Sequence, residues 1–144
     1  MSGKKHSYHQ LPETETTVAR QLYKEGSLSE EKMILLPLSV GLYGEPWRDS
    51  QDLLLTMMEH PNPELRANCV RGLGYIAFRF KKLDKRLVKP YVLRELRENT
   101  EFHGYVLDGI GDINHYLGWN LGRRPLWLKD KRPMTAVDPE DYLN

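Results

Sequence analysis

Two similar heptapeptides, 37 residues apart, are the feature that most constrains how this chain can fold. "VRGLGYI" at 70–76 aligns with "LDGIGDI" at 107–113, so that Gly72 and Gly74 both fall on glycines and the apolar residues stay in register. A glycine inside a helix costs about 1 kcal/mol relative to alanine. Close approach of a neighbouring helix offsets that cost, because glycine has no side chain to hold two helix axes at the usual separation of about 8–10 Å. We therefore expect another helix to pack against these glycines.

Capping residues, prolines and glycines divide the chain into six segments with the apolar spacing of helices. No segment shows the two-residue alternation of a strand between hairpin turns. Pro37 and Pro90 fall inside two of these segments and are expected to bend, shorten or begin a helix. The sequence predicts an all-α fold with helices over 13–26, 30–43, 45–60, 65–80, 84–99 and 100–118, the last capped by Thr100 and ended by Gly118.

The helix before each glycine pair also aligns. With a one-residue adjustment at the turn, "LLLTMMEHPNPEL" lies on "YVLRELRENTEF", which places Leu55 on Leu93. A two-helix unit of this length, with a proline-broken turn and small residues on its second helix, is typical of an α-solenoid. A fainter copy at 36–44 is too short to extend the alignment. In the second copy the apolar positions of the first helix are Leu87, Tyr91, Leu93 and Leu96.

The segment "LLLTMMEHPNPELRANCVRGLGYIA" at 53–77 resembles a HEAT repeat, both in its Asn-Pro-Glu-Leu-Arg turn and in the "GLGYIA" of its second helix. Residues 87–118 resemble a degenerate second copy that lacks the proline turn and has His103 where Arg66 would be. The resemblance implies a short right-handed α-solenoid of about three HEAT-like hairpins. The expected organisation is a flexible segment at 1–12, the repeat domain at 13–118 and an extended, capping C-terminal tail at 119–144.

As a whole, the chain is similar to the HEAT-like immunity proteins encoded beside bacterial polymorphic toxins, such as those of contact-dependent growth inhibition systems. That resemblance implies stoichiometric inhibition: the chain would bind a cognate toxin domain and occlude its active site or its substrate-binding surface. It implies no catalysis. The expected partner is therefore a protein, and we expect the free chain to be a monomer.

Composition and charge indicate the cellular compartment of the protein, but they do not indicate its binding partner. The formal net charge is +1, no apolar run reaches the roughly 20 residues of a spanning helix, and the first residues lack the apolar core of a secretory signal. Cys69 is the only cysteine and lies among apolar helix formers, which fits a small buried hydrophobe in a reducing compartment. We expect a cytoplasmic protein that does not bind membranes.

A polar stripe follows the second helix of each aligned repeat, and it carries the candidate partner-binding residues. The repeat register places Arg71 beside Asp108 and Tyr75 beside Asp112. Salt bridges between neighbouring helices would explain this pattern, and so would a mixed surface that binds a protein, since Tyr and Arg often anchor interfaces. The two explanations are compatible. The predicted binding residues are Arg71, Tyr75, Arg79, Asp108, Asp112 and His115.

The sequence offers no catalytic constellation, so neither enzyme activity nor a cofactor is expected. Asp112 and His115 have the carboxylate-x-x-His spacing of a bundle metal site, but the other helices supply no second pair. A polar helix face therefore explains them better than a metal. His6 and His9 have ligand-like spacing but lie in the flexible start. The glycines lie within helices rather than after strands, which excludes a phosphate-binding glycine loop.

Two alternative functions keep specific support in the sequence. Residues 61–100 carry ten Lys/Arg against four Asp/Glu, and Arg123 and Arg124 are adjacent in the tail, so a nucleic-acid-binding HEAT-like protein is one alternative. Much of that basic charge lies in "KKLDKRLVK" at 81–89, where a solvated loop is the ordinary explanation. A general HEAT-type adaptor, or a lyase-like HEAT protein acting on another protein, is the other alternative.

Overall fold

The computed structural model describes residues 15–122, and over that range the chain forms six α-helices and no β-strand. This confirms the predicted all-α class. The predicted segment at 1–12 and the tail beyond residue 122 lie outside the described residues. The helices are α1 (Thr16–Glu25), α2 (Glu30–Tyr43), α3 (Trp47–Met57), α4 (Pro63–Phe80), α5 (Lys85–Glu98) and α6 (His103–Leu117).

Local sequence signals account for most helix ends. The Ser29 hydroxyl accepts a hydrogen bond from the Lys32 backbone N–H at the start of α2, and the Asn62 side chain accepts from two backbone N–H groups at the start of α4. Gly26 and Gly118 end α1 and α6 in the left-handed conformation that glycine adopts readily. Pro37 lies within α2, where the helix continues on both sides of it.

The predicted cap of α6 is wrong. The helix begins at His103, after Phe102, and no side chain caps it by a hydrogen bond. The Asn99 side chain instead accepts a hydrogen bond from the Phe102 backbone N–H at 3.2 Å, while its amide donates to the Pro63 carbonyl oxygen at 2.9 Å. Thr100 is exposed. The buried Asn99, and not the exposed Thr100, therefore makes the side-chain hydrogen bonds that hold the turn between α5 and α6.

The even-numbered helices lie side by side with α4 in the middle, and they run in the same direction. The Asn68 amide donates to the Ile34 carbonyl oxygen at 2.9 Å, and the Arg79 guanidinium donates to the Gly41 carbonyl oxygen at 2.7 Å. Contacts therefore advance together along α2 and α4. The contacts of α4 with α6 advance in the same way, and these two pairings are the most extensive in the described chain.

The odd-numbered helices form the opposite layer, and polar side chains bridge them. The Thr16 and Ser50 hydroxyls are 2.8 Å apart between α1 and α3. Between α3 and α5, the Gln51 side chain accepts from the Asp84 backbone N–H at 2.6 Å, and Arg94 donates to the Met58 carbonyl oxygen at 2.6 Å. Direct packing of α3 on α5 is slight. Each odd helix is thus followed by an even helix that returns in the opposite direction.

Three of the four glycines in the two aligned heptapeptides lie where another helix approaches closely, as expected. A Cβ atom on Gly72 would stand 2.7 Å from the Pro37 carbonyl oxygen, and one on Gly74 would stand 2.9 Å from Asp112 Cβ. Gly109 faces the Val70 carbonyl group. Gly111 differs, because nothing lies within 4 Å of its Cβ position. Gly111, the second glycine of the second copy, is therefore not required by a close contact.

α4 contributes most to the core, and Cys69, Leu73 and Ile76 are fully buried there. The predicted apolar register of α5 is partly wrong. Leu87 is 42% exposed, whereas Val88 and Val92 are fully buried. Pro90 lies inside α5 and is exposed, so the helix turns its valines toward the core instead. Leu93 and Leu96 are buried, as the alignment predicts.

A buried carboxylate joins three segments at one end of the molecule. Glu95 is 2% exposed and accepts hydrogen bonds from Arg66 at 3.2 Å, from the Asn99 amide at 3.0 Å and from Arg94 at 3.1 Å. Arg66 also donates to the Pro61 carbonyl oxygen at 2.8 Å. The two arginines thus satisfy a charge that would be costly to bury alone, and they fix the turn between α3 and α4 against α5.

Candidate binding face

We call the surface formed by the outward side chains of α4 and α6 the α4–α6 face. Because α4 and α6 lie in contact and run in the same direction, their stripes lie next to each other. All six predicted site residues are exposed or half-buried. Four of them lie together, because Arg71, Asp108 and His115 all act on Asp112, whereas Arg79 reaches the Gly41 carbonyl oxygen of α2. The face comprises Arg71, Tyr75, Phe78, Arg79, Asp108, Asp112, His115 and Tyr116.

The two arginines of the face are already engaged within the fold. The Arg71 guanidinium carbon lies 4.5 Å from the centre of the Tyr105 ring, and Arg71 donates to the Asn68 side-chain oxygen at 3.4 Å. Arg79 donates to the Gly41 carbonyl oxygen and lies 4.6 Å from the Phe80 ring centre. Burial lowers the pKa of Arg79 from its ordinary value, against an opposing effect of Glu45. Both side chains are therefore held in defined positions.

The acidic part of the face is electrostatically coupled. Burial raises the pKa of Asp112 above its ordinary value, and the negative charge of Asp108 raises it further. His115 and Arg71 oppose this effect and lower the pKa of Asp112. Arg71 of α4 therefore acts on Asp112 of α6, together with Asp108 and His115. The pairing of Arg71 with Asp108 and of Tyr75 with Asp112 stays a prediction.

An exposed aromatic cluster extends the face, and sequence reasoning missed it. Phe78 is 55% exposed, and its ring lies 5.1 Å from that of Tyr116 in an edge-on arrangement. The Lys81 amine lies 5.1 Å from both ring centres. The His115 ring packs edge-on against Tyr116 at 4.7 Å. Phe78 follows Tyr75 by three residues and aligns with His115 under the 37-residue shift, so the sequence did contain a signal for it.

Two kinds of reactive group can be checked in the described residues, a metal cluster and the cysteine thiol. Among residues 15–122, no three His, Cys, Asp or Glu side chains are grouped so that they could hold a metal ion. The Cys69 thiol is fully buried, and burial raises its pKa well above the ordinary value, with Glu95 adding to the shift. The described helices also include none that is long and apolar enough to cross a membrane.

Much of the basic charge of residues 61–100 is used inside the fold. Arg66 and Arg94 bind Glu95, as described above. The Lys85 amine lies 5.4 Å from the Trp119 ring centre, and Lys81 lies over the aromatic cluster. The sequence count therefore overstates how much of this charge is free to contact an external anion.

We compared the chain with known protein families, proteins and structures. No family model, no curated protein and no solved structure matches the chain.

Proposed function

We propose that this chain is a short right-handed α-solenoid of HEAT-like hairpins, and that it acts as an immunity protein. In this proposal it binds a cognate bacterial toxin domain in the cytoplasm and occludes the toxin's active site or substrate-binding surface. The chain itself carries out no reaction and needs no cofactor. The resemblance of residues 51–80 to HEAT repeats and of the whole chain to such immunity proteins motivates this proposal.

The observation that carries the proposal is the exposed aromatic cluster on the α4–α6 face. Phe78 leaves 55% of its surface exposed although it lies on the helix that is otherwise the most buried. A large exposed aromatic side chain, flanked by Tyr and Arg, has the composition of an interface anchor. The surrounding carboxylates and His115 provide the polar rim that such anchors usually have.

Helix spacing supports a concave binding surface on this side. The even-numbered helices approach each other at glycines, whereas α3 and α5 are bridged by long side chains and pack little against each other. A two-layer stack whose layers differ in spacing bends toward the closely spaced layer. The α4–α6 face would then line the concave side, and a partner of standard size would bury about 1,200–2,000 Å² in total there.

Growth rescue tests this function directly. Where a large polypeptide is encoded beside this chain, its C-terminal domain is expressed in bacteria, with and without this chain. We expect growth arrest alone and recovery with the chain present. Phe78→Ala should weaken the complex by about 2 kcal/mol or more, roughly thirtyfold, if Phe78 is a central anchor. Calorimetric titration of the purified domains measures this loss.

Leu87→Ala is the matched control, because Leu87 is another exposed apolar side chain but lies on α5. It should leave affinity and rescue unchanged. The combined alanine variant of Arg71, Tyr75, Asp108 and Asp112 should lose several kcal/mol of binding. Two results would contradict the proposal. One is that no toxin-like protein is encoded beside this chain. The other is that the chain binds the toxin and rescues growth, but no substitution on the α4–α6 face weakens the complex.

The nucleic-acid alternative rests on the basic centre of the chain and has a separate test. Phosphate-driven binding weakens steeply with salt. If duplex DNA bound tightly at low salt and lost affinity by orders of magnitude as salt rose, the alternative would be favoured. The internal use of Arg66, Arg94 and Lys85 argues against that result.

A further inference from the structure

A groove of about 540 Å³ lies between α1, α2 and α3, away from the α4–α6 face. Its volume falls within the roughly 300–1,000 Å³ of small-molecule sites. Met33 and Leu53 are buried and form an apolar part of the wall. Arg20, Lys24, Tyr23 and His60 contribute polar groups to the same wall. The groove therefore combines an apolar surface with several hydrogen-bond donors.

The two cations of the groove have no polar partner among the described residues. Arg20 and Lys24 are four residues apart on α1, so their side chains lie on the same side of the helix. Within residues 15–122, neither makes an ion pair or a hydrogen bond through its side chain. They differ in this from Arg66, Arg71, Arg79 and Arg94, which are all engaged. Two unpaired cations on one wall favour an anionic ligand.

Tyr23 and His60 add hydrogen-bond donors to the groove. His60 Nδ1 accepts a hydrogen bond from the Asn62 backbone N–H at 3.0 Å, so in the neutral imidazole the hydrogen lies on Nε2. The Tyr23 ring packs against His60 with 6.2 Å between ring centres. Burial raises the pKa of the Tyr23 hydroxyl, and Cys69 and Glu59 raise it further, so the hydroxyl keeps its hydrogen.

One carboxylate near the groove is paired with an arginine outside it. Glu59, whose charge acts on Tyr23, is 61% exposed and lies 3.7 Å from the Arg94 guanidinium. Its charge is thus shared with a cation on α5. Arg20 and Lys24 have no such partner among residues 15–122.

We propose that this groove binds a small phosphate monoester, with the phosphate on Arg20 and Lys24 and the organic group on Met33 and Leu53. The Arg20 guanidinium matches the bidentate geometry that phosphate oxygens favour. Tyr23 and His60 supply the further donors that a doubly charged oxyanion accepts. The site is separate from the proposed toxin-binding face and does not depend on it.

Nuclear magnetic resonance titration with phenyl phosphate tests the site at constant ionic strength. We expect saturable shifts of the Arg20 side-chain, Tyr23 ring and His60 ring resonances. Inorganic phosphate should bind more weakly because it lacks the apolar group, and benzyl alcohol should give no saturable shift at these residues. Arg20→Gln should weaken phenyl phosphate binding about tenfold, the loss of one charge-assisted hydrogen-bonding group.

Arg86→Gln is the matched control, because Arg86 is an exposed arginine of α5 that does not line the groove. It should leave the affinity unchanged, and the dispersion of amide signals in each variant confirms that it is folded. No saturable shift at the groove up to about 10 mM ligand, well above the roughly 1 mM of a weak specific site, would overturn the proposal. Equal weakening by Arg20→Gln and Arg86→Gln would also overturn it, since only general charge would then be acting.

Discussion

The Cβ position of Gly41 lies against the backbone of Gly72, where an added methyl group would stand 2.6 Å from both the Cα atom and the carbonyl oxygen. Neither neighbour is a flexible side chain that can move aside. The contact joins α2 to α4 in the same layer in which Gly109 faces Val70 between α6 and α4. The spacing of three helices therefore depends on positions that must remain glycine.

Gly41→Ala should destabilise the protein by about 1–3 kcal/mol, the usual cost of overpacking a core, although alanine favours helix. Gly111→Ala is its matched control within a helix. Nothing lies near the Gly111 Cβ position, so this substitution should stabilise by about 0.5–1 kcal/mol through helix propensity alone. Urea unfolding measures both free energies. Equal effects of the two substitutions would contradict the close approach of α2 and α4.

Glu95→Ala should cost about 3 kcal/mol, because it leaves Arg66 and Arg94 without the buried carboxylate that both contact. Glu98 lies three residues further along α5 and is exposed, so Glu98→Ala should change stability by no more than about 0.5 kcal/mol. Thermal and urea unfolding of the two variants provide the comparison. Similar stabilities would show that the buried network contributes little.

The pKa of Asp112 should fall in the Asp108→Asn variant and rise in the Arg71→Gln variant, as followed by carbon resonances of its carboxyl group. The reason is that Asp108 raises this pKa and Arg71 lowers it. Since the folded-state pKa is raised, the folded protein binds a proton at Asp112 more readily than the unfolded chain does. Ionised Asp112 therefore reduces stability at neutral pH, and this reduction disappears as pH falls below the unfolded pKa.

Asp112→Asn should accordingly increase stability at neutral pH, with a difference from the parent chain that shrinks in acid. Asp52→Asn is a suitable control, because Asp52 is an exposed carboxylate on α3. A gain for Asp112→Asn that stays constant across the acid range would contradict the predicted origin of the effect.

The Cys69 thiol should resist modification in the native protein. It is fully buried, and its raised pKa leaves little thiolate to react. With a chromogenic disulfide reagent at mildly alkaline pH, we expect slow reaction that becomes fast in denaturant. Rapid stoichiometric labelling of the folded chain would show that α4 opens readily.

The sequence predicted the helices and their order well because most of their ends carry local signals such as Ser29 and Gly118. The glycine repeat also indicated that α4 and α6 pack closely. The sequence could not show which apolar side chains of a helix face the core. Both Leu87 and Val88 are apolar, and only tertiary packing decides that Val88 is the buried one. The same applies to Thr100 and Asn99, since a hydroxyl before a helix is a good local cap but Asn99 reaches Pro63.

The candidate face was predicted in part for a similar reason. A shift of 37 residues places Arg71, Tyr75, Asp108 and Asp112 together from sequence alone. Phe78 is not among the predicted site residues, because hydrophobicity is equally consistent with core and with an exposed anchor. Groups separated along the chain, such as Arg20 and His60, come together only when α1 packs on α3.

Glu95 and its neighbours also determine how the chain unfolds. The carbonyl oxygens of Met58 and Pro63 belong to the second pair of helices but accept hydrogen bonds from Arg94 and Asn99 of the third. Removing α5 and α6 would uncover buried polar groups as well as apolar surface. The chain should therefore lose its structure in a single cooperative transition, and amide hydrogens of α3, α4 and α5 should exchange with similar protection.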